Sequence, residues 1–126
     1  MTELKLKMSE VLESNAACDE LLKLKMPINV SVGILGLQDS FESKVLLAQK
    51  TIKKLMDENC EKNENGYVPV DPTKPELGYK LVKPAEYHKG FQELMDSEVP
   101  ILFDPIELGN LEPEGTIIKI LRKFLK

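Results

Sequence analysis

The chain has 126 residues, 42% of them hydrophobic and 30% charged, with a formal net charge of −4 and a pI of about 5.1. That is one domain's worth of residues, too apolar for a disordered chain and long enough to bury a core without metal or disulfide staples. The acidic balance argues against nucleic-acid binding, and Arg122 is the only arginine, which removes most scope for bidentate reading of phosphate.

Leu4, Leu6 and Met8 alternate with Lys5 and Lys7, which reads as a short half-buried strand or a lead-in. The segment Met1-Thr2-Glu3-Leu4-Lys5-Leu6-Lys7 lacks the apolar run of a signal peptide. Ser9 offers an N-cap, and Val11, Leu12, Cys18, Leu21 and Leu22 share one face of a helix over 10–24. Met26-Pro27 breaks that helix. The next stretch, 28–37, carries Val30, Val32, Ile34 and Leu35 with Gly33 and Gly36. It reads as the start of a second helix, with a strand as the alternative.

From Phe41 the pattern is plainly helical. Phe41, Val45, Ala48, Ile52 and Leu55 recur in steps of four and three, a narrow apolar seam on a helix ending near Asn59. An antiparallel helical hairpin with the first helix would bury it. Asn65-Gly66 marks a turn. Tyr67-Val68-Pro69-Val70 and Tyr79-Lys80-Leu81-Val82 read as two strands of a hairpin joined by a proline-rich loop. Pro69 confines that hairpin to an edge. Pro84 opens a third helix with Tyr87, Phe91, Leu94 and Met95 on one face. Val99-Pro100-Ile101-Leu102-Phe103 is a brief strand. Pro113-Glu114 leads into a last helix with Ile117, Ile118, Leu121, Phe124 and Leu125 facing inward.

The expected fold is therefore α+β and mainly helical. It is a single domain over 1–126, with a helical hairpin over 9–60, a β-hairpin over 66–82 and a helix–strand–helix over 84–126.

The residues offer little chemistry. His88 is the only histidine and has no partner at helical spacing, so it reads as a surface residue. Cys18 and Cys60 are far apart and lack companion ligands, so no metal is expected. They read as free thiols in a reducing compartment, Cys18 in the core and Cys60 partly exposed. Gly33 and Gly36 form no phosphate-binding loop. Glu107, Glu112 and Glu114 read as a solvated acidic cluster. No catalytic residue, cofactor or membrane span is expected, and the class of function that remains is protein binding. Two surfaces are candidates: Tyr67, Val68, Val70, Tyr79 and Leu81 on the hairpin, and Ile101, Phe103, Ile106 and Leu108 in an apolar, turn-rich stretch.

The order of elements resembles a group of short phage and prophage proteins of low-GC bacteria. The resemblance rests on the Lys25-Met26-Pro27 junction, the helix through Lys44-Val45-Leu46-Leu47-Ala48-Gln49-Lys50 and the Asn63-Glu64-Asn65-Gly66 turn. It continues through Phe91-Gln92-Glu93-Leu94-Met95 and Glu98-Val99-Pro100-Ile101, and closes on Ile106-Glu107-Leu108-Gly109-Asn110-Leu111-Glu112. The lysine-rich composition fits the same AT-rich genomes. What the resemblance implies is a viral origin and a small accessory or virion-associated protein. With the lack of catalytic groups and the apolar surfaces, the expectation is a non-enzymatic, oligomeric protein of the particle or its assembly, in the bacterial host cytoplasm or the virion. The alternatives are an inhibitor of a host enzyme or defence system, or a nucleic-acid-associated accessory protein. Its partner would be a further copy of itself, a virion protein or a host protein.

Overall fold

A computed structural model describes all residues, Met1–Lys126. The fold is α+β and mainly helical, with four α-helices and two small antiparallel sheets. In chain order the elements are β1 (Thr2–Lys7), α1 (Met8–Leu22), α2 (Ile28–Asn59), β2 (Lys62–Asn63), β3 (Gly66–Tyr67), α3 (Pro84–Asp96), β4 (Glu98–Phe103) and α4 (Gly115–Leu121). A 3-10 turn, Arg122–Phe124, follows α4. The chain divides into two compact units. Unit 1 is Met1–Leu47 with Asp96–Lys126, and unit 2 is Ala48–Met95.

In unit 1, β1 pairs with β4 in antiparallel register, Thr2 opposite Phe103 and Lys7 opposite Glu98. The strand runs straight into α1. Glu10 accepts the Lys7 backbone N–H at 3.1 Å, supplying an acceptor where the helix start has none of its own. Lys7, not Ser9, is the residue before the first helical turn. Val11, Cys18 and Leu21 of α1 are fully buried, as their spacing predicts. The break at Pro27 is real, and 28–37 is helix. Val30, Ile34, Leu37 and Phe41 of α2 turn inward. The helical hairpin of α1 and α2 is tied by Gln38, whose amide donates to the Asn15 carbonyl at 3.2 Å and to Asp19 Oδ1 at 2.8 Å.

At the centre of unit 1 three phenylalanines meet edge to face. Phe124 lies 5.3 Å from Phe41 and 5.0 Å from Phe103, ring centre to ring centre. Such pairs contribute about 0.5–1.5 kcal/mol beyond the area they bury. The seam on α2 is thus not closed by α1 alone: Phe41 meets the chain after α4. Ser14 sits fully buried in the same unit, and its hydroxyl has no hydrogen-bond partner.

Unit 2 is built differently. Its only residues below a tenth exposed are Ala48, Asn59 and Cys60. Tyr87, Phe91, Leu94 and Met95 of α3 share a face as expected, but all are only half-buried. Gly90 allows α3 to approach α2: a Cβ there would lie 2.5 Å from Leu55 Cδ2.

β2 and β3 form a hairpin with Lys62 opposite Tyr67, and Gly66 takes a φ of +107° that favours glycine. The predicted pairing of 67–70 with 79–82 is present as backbone bonds and a bridge. Val70 N–H donates to Gly78 O at 3.0 Å, Lys80 N–H to Val68 O at 2.8 Å, and Pro69 faces Tyr79. The returning segment then covers the end of α2, where Asn59 O accepts from Val82 N–H at 2.6 Å.

Candidate functional site

The two predicted surfaces have opposite fates. Ile101 and Phe103 face inward from β4, and Ile106 and Leu108 are also buried. These four are core residues of unit 1, so this expectation is corrected: their apolar surface is used inside the protein. The reason is visible in β4 itself, whose residues alternate outward and inward from Glu98 to Phe103. The strand pairs with β1 at the far end of the chain and not with the 67–82 hairpin. Leu102, on the outward face, is the apolar residue of this stretch that remains exposed.

The 67–82 surface keeps several apolar side chains in contact with solvent. Val70 is 48% exposed, Leu77 52%, Tyr79 47% and Val82 63%. Tyr67, Val68 and Leu81 are half-buried beside them. Tyr67 and Tyr79 pack with ring centres 5.3 Å apart. The proline-rich loop is held locally. Asp71 accepts the Thr73 hydroxyl at 2.7 Å and its backbone N–H at 2.9 Å, and Pro75–Leu77 is a 3-10 turn closed by Gly78 N–H on Pro75 O. Those same bonds hold the Asp71 carboxyl below its ordinary value, the Thr73 hydroxyl first.

Asp57 anchors the base of this surface. Its carboxylate accepts from Lys62 Nζ at 2.8 Å, from the Tyr67 hydroxyl and from Lys53 Nζ at 3.1 Å. These bonds, Lys62 first, hold the carboxyl well below the usual carboxylate range. The same carboxylate pushes the Tyr67 phenol up to about 12, so its proton stays in place to donate. The Lys62 ammonium lies 5.3 Å from the Tyr67 ring centre. Nothing local in the sequence links Asp57 to Tyr67; the β2–β3 turn does.

The thiols are chemically quiet. Both are free and buried, so Cys60 is less exposed than its position predicts. Burial pushes Cys18 up to about 12 and raises Cys60, which disfavours the nucleophilic thiolate in each. His88 is exposed, with its ring 5.7 Å from that of Tyr87. No three His, Cys, Asp or Glu side chains are grouped as metal ligands would be. Lys53 and Lys54 each pair with an acid one turn along α2, Asp57 at 3.1 Å and Glu58 at 3.9 Å.

Unit 1 also has an open groove of about 630 Å³ lined by Val32, Gly33, Gly36, Asp39, Phe103, Asp104, Glu107 and Lys126 among others. Ile28, Val32 and Leu35 are exposed on that stretch of α2. The sequence places these residues at the start of a second helix, and nothing in their spacing separates an exposed apolar face from a buried one.

No helix is long and apolar enough to cross a membrane. Compared with known protein families, curated proteins and solved structures, the chain matches none.

Proposed function

We propose that the protein works by binding another protein, without catalysis, through the 67–82 surface of unit 2. One observation carries this reading: four large apolar side chains, Val70, Leu77, Tyr79 and Val82, are about half exposed or more on a short segment. Such a cluster has an energetic reason to be covered. The backbone bonds among 61–70 and 78–82 fix the segment before any partner arrives, which lowers the ordering cost of association. Tyrosine supplies contact area at small conformational cost.

The setting we propose is that of a phage protein acting in the particle or its assembly. Its support is the resemblance in element order and the lysine-rich composition. A second reading, an inhibitor of a host enzyme, is favoured by one detail. Leu77 ends a 3-10 turn in a loop bearing Pro72 and Pro75, a shape suited to entering a concave site.

The test is a capture experiment with the full chain and a Tyr79→Asp, Val82→Asp variant. Both positions are exposed, so the fold is expected to persist by circular dichroism. The intact surface should retain a protein from infected-cell lysate, and the variant should lose it. Equal capture by both forms would contradict the assignment. A virion protein as the captured species supports the assembly reading, and a host enzyme the inhibitor reading.

A further inference from the structure

The β1–β4 ribbon has two edges, and they are not alike. Lys5 stands opposite Pro100. Proline has no N–H, so this pair cannot exchange backbone hydrogen bonds. The bonded pairs must be the alternate ones: Thr2 with Phe103, Leu4 with Ile101, and Leu6 with Val99. The N–H and C=O groups of Glu3, Lys5 and Lys7 therefore point away from β4. Lys7 confirms the phase, since its N–H turns outward to Glu10. On the other edge the outward positions are Glu98, Pro100 and Leu102, and Pro100 interrupts the donors there, a common block against strand addition. The β1 edge carries no such block. Glu3 and Lys5 are exposed, and their outward N–H groups meet no acceptor in the chain.

We propose that this edge pairs with the β1 edge of a second copy of the chain, giving a four-stranded antiparallel sheet in the order β4-β1-β1-β4. The charges select the register. Outward donors must face outward donors, so odd residues pair with odd residues. Glu3 against Glu3 opposes two carboxylates, and Lys5 against Lys5 opposes two ammonium groups and also calls on Lys7, whose N–H is already taken. Centring the two-fold axis on Leu4 places Glu3 of each copy opposite Lys5 of the other, on the solvent face, and uses both free donors twice. A parallel arrangement of like with like loses this complementarity. Leu4, half-buried in one copy, meets Leu4 of the second on the inner face. The surface is separate from the 67–82 segment, so either proposal can fail alone.

Sedimentation of the full chain over a range of concentrations tests the idea, with Glu3→Lys, Lys5→Glu and the double exchange. Wild type should show a concentration-dependent dimer. Each single reversal should weaken it by on the order of tenfold, because two like-charge pairs replace two opposite ones. The double exchange should restore it. A crosslink reads the register independently. In a Cys60→Ser background, Leu4→Cys brings two Cα atoms to about 4.5 Å across the axis, close enough for a disulfide. Thr2→Cys leaves them roughly 14 Å apart. Dimer crosslinking of Leu4→Cys alone supports the pairing. A monomer at every concentration, charge reversals without effect, or equal crosslinking at both positions would overturn it. The 67–82 variants should leave this dimer unchanged.

Discussion

Unit 1 and unit 2 each contain helix and paired strand, and both leave apolar side chains exposed, yet only unit 1 seals a set of large ones away completely. Unit 1 buries Phe41, Phe103, Phe124, Met8, Leu21 and Ile34 almost fully, while Ile28, Val32, Leu35 and Leu102 stay exposed. Unit 2 leaves Tyr87, Phe91, Leu94 and Met95 half-buried and Val70, Leu77, Tyr79 and Val82 exposed. Its order comes instead from backbone bonds among 59–83 and from the ion-paired Asp57. Buried apolar area sets most of a fold's stability, whereas exposed hydrogen bonds and surface ion pairs add little net free energy. The difference places most of the buried apolar area, and with it most of the expected stability, in unit 1.

Substitutions can break this contrast. The largest effect is expected in unit 1. Phe124→Ala removes the ring shared by Phe41 and Phe103 and should cost about 3–5 kcal/mol in a denaturant titration. In unit 2 the tightest approach is at Gly90, where a side chain would run into Leu55. Gly90→Val should cost about 1–3 kcal/mol by overpacking, less than the unit 1 change because Leu55 can shift toward solvent. Ser14→Ala acts in the other direction. It removes a buried hydroxyl without a partner and should stabilise the protein by about 1 kcal/mol. A cost of similar size would mean that the hydroxyl is bonded.

The smallest effect sharpens the account of the 67–82 base. The Asp57 carboxyl is lowered in the folded state, so its contribution is present above the ordinary carboxylate range. It is lost as pH falls through the folded value. Tyr67→Phe removes one of the three hydrogen bonds to that carboxylate. Its titration, followed by carbon NMR, should move up toward the ordinary value, and acid loss should begin at higher pH. An unmoved midpoint would show that Lys62 and Lys53 alone hold the charge.

The helices were legible because their signals are local. Pro27 and Pro84 mark starts, and Val11, Cys18 and Leu21, or Phe41, Ala48 and Leu55, repeat at helical spacing. The partner of β4 was not legible, since β1 lies at the other end of the chain and short two-strand pairing leaves no trace in composition. Ile101 and Phe103 show a different failure. Their richness suggested a surface, while their alternation with Pro100 and Leu102 already indicated an inward-facing strand. Ile106 and Leu108 carry no comparable pattern, and only the fold shows them buried. The 67–82 segment was readable because glycine, proline and tyrosine punctuate it. The Asp57–Tyr67 bond depends on the β2–β3 turn and has no local signature.

Native-state hydrogen exchange tests the central contrast most directly. The account predicts that the amides of Val70, Lys80 and Val82 in unit 2 exchange through a low-energy local opening. Those of Leu21, Phe41 and Ile101 in unit 1 should exchange only on global unfolding. Equal opening free energies in the two sets, rising together with stability, would contradict it and make the protein one uniformly cooperative core.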